Sequence, residues 1–300
     1  MKQISHTSEN ELIASLTKDL VTMPEVLVGV GDDCAVIEKD ETFHTLLKTD
    51  TVVEGVHFES KEDPERVGWK AAARVISDFA SMGGEPEALL ITIILPPETE
   101  LDWIHKVYNG LKAACRNFRC SIVGGETSSA PAGSPKVISV SGTGKVKAHN
   151  LILRSGGKPT DLIYVTGSLG GSIRGKHLDF TPRVKEGMWL AKHIKPTAML
   201  DLSDGIAKDL PRITSQSQCG FEIFASKIPL NPNCTTKQAL RDGEDYELLF
   251  TIPAASQHEL ETRWAKQFPH LKLSHIGHLI EKSPDATEPT HSGGWDHFQK

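Results

Sequence analysis

The stretch Gly29–Phe58, GVGDDCAVIEKDETFHTLLKTDTVVEGVHF, constrains the fold more than any other part of the chain. It holds two short apolar runs that each abut acidic residues at a turn, Asp32 and Asp33 in the first and Asp50 in the second. Gly29, Gly31 and Gly55 supply backbone freedom there, and His57 lies near its end. Carboxylates crowded at strand ends are unfavourable. Two like charges about 4 Å apart repel by roughly 4 kcal/mol at an effective dielectric of about 20. One pKa must then rise by about 3 units, or a divalent cation must bind between them. The pattern recurs at Glu126, at Asp201 and Asp204, and at Glu244-Asp245, while Asp78 is the exception, placed on a helix. Any one of these is explained as a turn or cap residue. Their recurrence over both halves of the chain is not, and it predicts a metal site. Hard oxygen donors without His or Cys partners suit Mg²⁺, and Mg²⁺ points to phosphate chemistry.

At 300 residues the length favours two domains. Net charge is −6 and no basic run is present, so nothing argues for nucleic acid. No apolar stretch approaches a membrane span, the polar start MKQISHTSENEL lacks a secretory segment, and the five cysteines form no CxxC pair. These features predict a cytoplasmic protein with reduced thiols. Apolar spacing predicts helices over 9–20, 66–82, 100–118, 184–194, 205–217, 235–241 and 255–267. Alternating or continuous apolar runs predict strands near 26–30, 34–37, 45–49, 88–95, 121–123, 136–146, 161–166, 221–225, 246–252 and 272–276. Gly83-Gly84 is expected to stop the second helix, and Pro96-Pro97 the strand before it. The polar segment 147–160, with Gly156, Gly157 and Pro159, is the expected boundary between an N-terminal domain, 1–148, and a C-terminal domain, 149–300. Alternation of strands and helices in both halves predicts α/β or α+β layers.

A phosphate-binding loop is the obvious thing to look for next. Gly170–His177, GGSIRGKH, fits GxxxxGK but places His177 where a hydroxyl must hold the metal, so it reads as an ordinary flexible loop. GxGxxG after a strand, GxSxG, HExxH and paired CxxC are all missing, which removes support from dinucleotide, hydrolase and zinc readings.

Taken together and in order, the segments GVGDDCAVI, TDTVVEGVHF, ISDFASMGGEP, VGGET, LRSGGKPTDLIYVTG, DLSDG and GEDYELLF resemble the thiamine-monophosphate kinases from end to end. DLSDG and GDD are shared with the wider superfamily of aminoimidazole-ribonucleotide synthetase, selenophosphate synthetase and a hydrogenase-maturation dehydratase. GEDYELLF and the TD-x-x-x-x-G-x-HF segment favour the thiamine enzyme. The resemblance implies a two-domain aminoimidazole-ribonucleotide synthetase-like subunit, with an N-terminal α+β domain that dimerises and a C-terminal α/β domain over the nucleotide. It implies ATP as co-substrate, thiamine monophosphate as acceptor, several Mg²⁺ ions and room for a monovalent cation. By position, Asp33, Thr49, Asp50, Asp78, Glu126, Asp201 and Asp204 resemble metal ligands. Tyr108, Gly125, Glu126, Arg154 and Ser203 resemble ATP contacts, and His57, Glu244 and Trp295 the groups around the thiamine substrate.

Three departures stand out. Lys48 occupies a position where the family often has Ser or Thr, so a metal contact there would have to use the backbone carbonyl. Glu126 replaces an Asp found in some members, and the stretch between Gly171 and Asp201 is short. The expected chemistry is direct in-line transfer without a general base, because the acceptor phosphate, with a second pKa near 6, is already mostly a dianion at pH 7. Competing expectations are another ATP-dependent enzyme of the superfamily, or a relative that binds Mg-nucleotide without turnover. Against selenophosphate synthesis, no cysteine precedes Cys34.

Overall fold

Two sheets, one mixed and one antiparallel, each faced by helices, organise the computed structural model, which describes residues 6–282. The chain enters through α1 (Glu9–Thr17), closed at its start by a reciprocal capping box between Ser8 and Glu11. The first half then supplies β1 (Val26–Val28), β2 (Ala35–Glu38), β3 (Phe43–Val53), α2 (Pro64–Ser81), β4 (Glu85–Leu95), α3 (Leu101–Phe118), β5 (Ser121–Ser129) and β6 (Val137–Lys147). These strands form one sheet in the order β1-β2-β3-β6-β4-β5, in which only β4 and β5 run parallel.

Strand alternation gives this sheet one buried face. Leu46, Val52, Leu89, Ile91, Ile138 and Val140 are buried on it, against Val67, Ala71, Val75 and Phe79 of α2. Helix α2 begins with Asp63 accepting from the Glu65 amide and Pro64 at its first turn. It ends at Gly83-Gly84 as expected, with Gly83 left-handed at φ 75°. α2 and α3 cross at glycines: a Cβ on Gly110 would stand 1.8 Å from the Glu65 carbonyl oxygen, and one on Gly68 1.9 Å from that of Val107. The opposite face of the sheet is open, and Leu47, Leu90 and Val123 are exposed on it around a groove of about 380 Å³.

The second half supplies β7 (Leu162–Thr166), α4 (Lys176–Asp179), α5 (Val184–His193), β8 (Ala198–Asp201), α6 (Ile206–Ser217), β9 (Cys219–Ile223), α7 (Thr236–Arg241), β10 (Leu248–Ile252), α8 (Gln257–Gln267) and β11 (Leu273–Glu281). The sheet order is β8-β10-β7-β11-β9, antiparallel throughout. Of the two mixed descriptions the sequence allowed, α+β is therefore the closer one. No helix among the described residues is long and apolar enough to cross a membrane.

Two elements run further than their sequence suggests. β3 continues through Asp50 to Val53, because β6 pairs with it in unbroken register from Phe43↔Lys147 to Val53↔Val137. Asp50 is thus mid-strand rather than at a turn. β5 likewise carries Gly124-Gly125-Glu126 as strand, parallel to Leu90–Thr92. Glycine is required there, since a Cβ on Gly125 would lie 1.8 Å from the Ile91 carbonyl oxygen.

Candidate functional site

Between the two sheets lies a cleft of about 820 Å³, lined from both halves of the chain. Its polar centre begins with the period-2 alternation of β3. Leu46 and Val52 of that strand are buried, so Lys48 and Asp50 between them face inward toward α2. Asp33 comes from the loop between β1 and β2, Asp78 from α2, and Asp201 from the last residue of β8. These three buried carboxylates each offer an oxygen within 4.8 Å of the others. Of the acidic residues expected to converge from distant segments, the structure brings Asp33, Asp78 and Asp201 together.

The electrostatics follow from burial. Asp201 is pushed up to about 7, first by burial and then by the charge of Asp33. Burial also holds Asp78 well above the usual carboxylate range, with Asp201 and Asp50 adding to it and Lys48 opposing. For Asp50 burial acts upward, but Lys48 and Arg74 outweigh it and hold the carboxyl below its ordinary value. Each carboxylate has a named partner. Asp33 accepts from the Arg154 guanidinium and, at 2.6 Å, from the Ser81 hydroxyl. Asp78 accepts from Lys48 Nζ at 3.0 Å, Asp50 lies 3.5 Å from Arg74, and Asp201 accepts from the Ser77 hydroxyl. An all-oxygen set of crowded, buried carboxylates fits a hard divalent cation such as Mg²⁺.

A second group of side chains lines the same cleft. His57 Nδ1 accepts from the Val53 amide at 3.1 Å, which fixes the ring at the end of the β3 turn. Lys70, fully buried on α2, donates to the His57 carbonyl oxygen at 2.7 Å and to Glu244 at 2.8 Å. Glu244 sits in a strained turn. Gly243, Glu244 and Tyr246 all have positive φ, at 68°, 53° and 51°, a region that non-glycine residues adopt at a cost. The Glu244 amide is held by the Ser203 carbonyl oxygen at 2.7 Å, joining this turn to the DLSDG loop. Asp204 lines the cleft but is tied to Arg212 at 2.7 Å and Lys208 at 3.2 Å, outside the triple.

Other expected site residues lie elsewhere. Thr49 points to the open face of the sheet, where its hydroxyl meets that of Ser141 at 2.9 Å. Glu126 is exposed on the same face, in register with Thr92, Ser139 and Thr51 across β4, β6 and β3. Gly125 is beside it on β5, and Tyr108 packs against the first core from α3. None of these four lines the cleft. Trp295 lies outside the described residues. The GGSIRGKH segment is no phosphate cradle: Lys176 turns to the Ser168 carbonyl oxygen at 2.9 Å and His177 is buried. Sequence reading missed Lys70, Arg74, Ser77 and Ser81, whose signal was polar residues at helical spacing along the apolar stripe of α2.

Comparison with known proteins shows the family. The family model for the AIR synthase related protein, N-terminal domain, matches residues 31–146. The chain is 32% identical to the thiamine-monophosphate kinase of Haemophilus influenzae, over 92% of this chain and 93% of the relative. It is also 32% identical to that of Bacillus subtilis, over 92% of each. Among solved structures, AaThiL complexed with AMPPCP and TMP superposes with a TM-score of 0.83 at 29% identity, covering 99% of both chains.

Proposed function

This chain belongs to the thiamine-monophosphate kinase family, and on that premise we propose how its cleft moves the terminal phosphoryl group of ATP onto thiamine monophosphate. The chain is an ATP-dependent phosphotransferase, and its product is thiamine diphosphate. The observation that carries the site assignment is the Asp33–Asp78–Asp201 triple, whose Asp78 lines a cleft that also holds Arg154, His57 and Glu244. Residues 1–148 act as the metal- and ATP-binding domain and 149–300 as the domain that covers nucleotide and substrate.

The chemistry asks for positioning and charge neutralisation. The acceptor is mostly a dianion at neutral pH, so no residue has to remove a proton from it. The obstacle is repulsion between that dianion and the triphosphate. Mg²⁺, when bound by Asp33, Asp50, Asp78 and Asp201, supplies neutralisation of the charge on both phosphate groups. Arg154 adds a fixed guanidinium that its Asp33 partner orients at the mouth of the cleft. His57 and Glu244, coupled through Lys70, form a second pole suited to the cationic thiazolium of the acceptor. Ser203, beside Glu244, and Asp204 bring the DLSDG loop to the nucleotide side.

A second copy of this chain is the proposed occupant of the open sheet face. The exposed Leu47, Leu90 and Val123 support this, because an apolar groove on an uncovered sheet gains by exclusion from water. On this reading Thr49, Gly125 and Glu126 act at the subunit interface. Sedimentation should give a dimer, and Val123→Glu a monomer.

Asp50→Asn tests the site itself. It should abolish ADP release with thiamine monophosphate while leaving the circular dichroism spectrum and melting cooperativity intact. Full turnover in that variant, or equal turnover with an aminoimidazole precursor as acceptor, would overturn the assignment.

A further inference from the structure

One cation already stands inside the acidic centre. Lys48 is carried inward by the alternation of β3, between the buried Leu46 and the half-buried Asp50, and opposite Gly142 of β6. Its ammonium lies 3.0 Å from Asp78 Oδ1, with the side chain 23% exposed and that of Asp78 8% exposed. Lys48 is the one cation within ion-pair distance of Asp78 among the described residues, whereas Arg154 serves Asp33 and Asp201 accepts from the Ser77 hydroxyl. An ammonium offers three N–H donors and one positive charge. Held on a strand that is paired on both sides, by β2 and β6, it cannot diffuse away. A divalent ion that used Asp78 Oδ1 would have to displace it.

We propose that Lys48 is a built-in cation of the phosphoryl-transfer centre, holding the place at Asp78 Oδ1 that a further divalent ion would otherwise take and leaving the other Asp78 oxygen to the centre. The protein accordingly binds one divalent ion fewer per subunit than the same chain without this side chain. This rests on the kinase reading above only in what the centre is for. Lys48 is a positioning residue: it acts through Asp78, fixing that carboxylate and the local charge before nucleotide arrives.

The test counts ions rather than turnover. Mn²⁺ serves as probe, measured by equilibrium dialysis and by electron paramagnetic resonance on the full chain, with and without a non-hydrolysable ATP analogue. Lys48→Ser and Lys48→Met, checked for folding by circular dichroism, should each bind one Mn²⁺ more per subunit than the unsubstituted protein. Equal counts in all three overturn the proposal, since a lysine with a merely structural role would leave the count unchanged. If neither variant folds, crystals of the unsubstituted protein soaked in Mn²⁺ decide the matter. An anomalous peak on Asp78 Oδ1 with Lys48 swung away overturns the proposal, and Lys48 on Oδ1 with every ion held by other oxygens supports it. Failure of the kinase reading looks different. In that case no protein binds Mn²⁺ or the ATP analogue, whereas equal Mn²⁺ counts with thiamine monophosphate still turned over refute Lys48 alone.

Discussion

Replacing Lys70 by Met should cost the protein activity but almost no stability, contrary to the usual expectation for a broken buried ion pair. Removing one partner of such a pair typically costs about 3–5 kcal/mol, because the other charge is left buried alone. Here the geometry is asymmetric: Lys70 is wholly buried, whereas the Glu244 side chain is 19% exposed and keeps contact with water. The lysine pays most of the desolvation. Burial pulls its pKa from 10.5 to about 8, even though Glu244 opposes the shift. A drop of that size means that the fold carries a penalty of about 3 kcal/mol at pH 7 for keeping the ammonium inside. Methionine removes that penalty and leaves the His57 carbonyl oxygen without its donor, a loss of about 1–3 kcal/mol. The two nearly cancel, so Lys70→Met should change the unfolding free energy by no more than about 2 kcal/mol at pH 7. The sign can be checked through pH. Between pH 8 and 10.5 the unfolded chain binds more protons at Lys70 than the folded one, so stability from this group rises with pH and is lost as pH falls through 8. Urea denaturation of both proteins across that window, taken as a difference, cancels the other titrating groups. The unsubstituted protein should gain about 3 kcal/mol on the variant. A flat difference, or a loss above 4 kcal/mol at pH 7, would refute the reasoning. The variant should also raise KM for thiamine monophosphate more than it lowers kcat, because Lys70 positions His57 and Glu244 rather than the phosphates.

Other outcomes follow from the same structure. Gly110→Ala puts a methyl group on the Glu65 carbonyl oxygen, where backbone cannot yield cheaply; a loss of about 3 kcal/mol or more is expected in thermal melts. Asp245, buried beneath the Gly170 and Ser172 contacts, is pushed up to about 6 by that burial. Its contribution to stability is therefore full below pH 4 and lost as pH rises through 6, about 3 kcal/mol in all. Asp245→Asn should flatten that part of the stability–pH curve. Arg154→Ala removes the guanidinium on Asp33 and should weaken ATP-analogue binding by at least about tenfold, read by titration calorimetry, with a correspondingly smaller effect on acceptor KM.

Much of this molecule could be read directly from its residues, and the failures have physical causes. Helix α2 was legible because Val67, Ala71, Val75 and Phe79 repeat at the helical period and Gly83 stops it. β3 was read too short because Asp50 looked like punctuation, and only pairing with β6 shows that a charged residue can sit mid-strand facing a polar cleft. The strand expected over 121–123 runs on through Gly124-Gly125, where glycine at 125 serves the close approach of two strands. Lys70, Arg74, Ser77 and Ser81 carry no distinctive signal in sequence, since polar residues on an amphipathic helix are ordinarily its solvated face. Their helix is instead covered on both flanks.

Local order, then, was determined by the sequence itself: element type, the capping boxes at Ser8 and Thr235, and the motifs that identify the family. Such features depend on interactions between residues a few positions apart, whose geometry the helix and strand periods dictate. Which carboxylates meet was decided only by the tertiary structure. Asp33, Asp78 and Asp201 converge because a loop, a helix and a strand from different parts of the chain pack at the cleft, while Thr49 and Glu126, equally acceptable as oxygen ligands, are turned to the opposite face by strand alternation. Lys48 shows the difference most clearly. In sequence it is a departure from a motif, and in the folded chain it is the cation on which Asp78 rests.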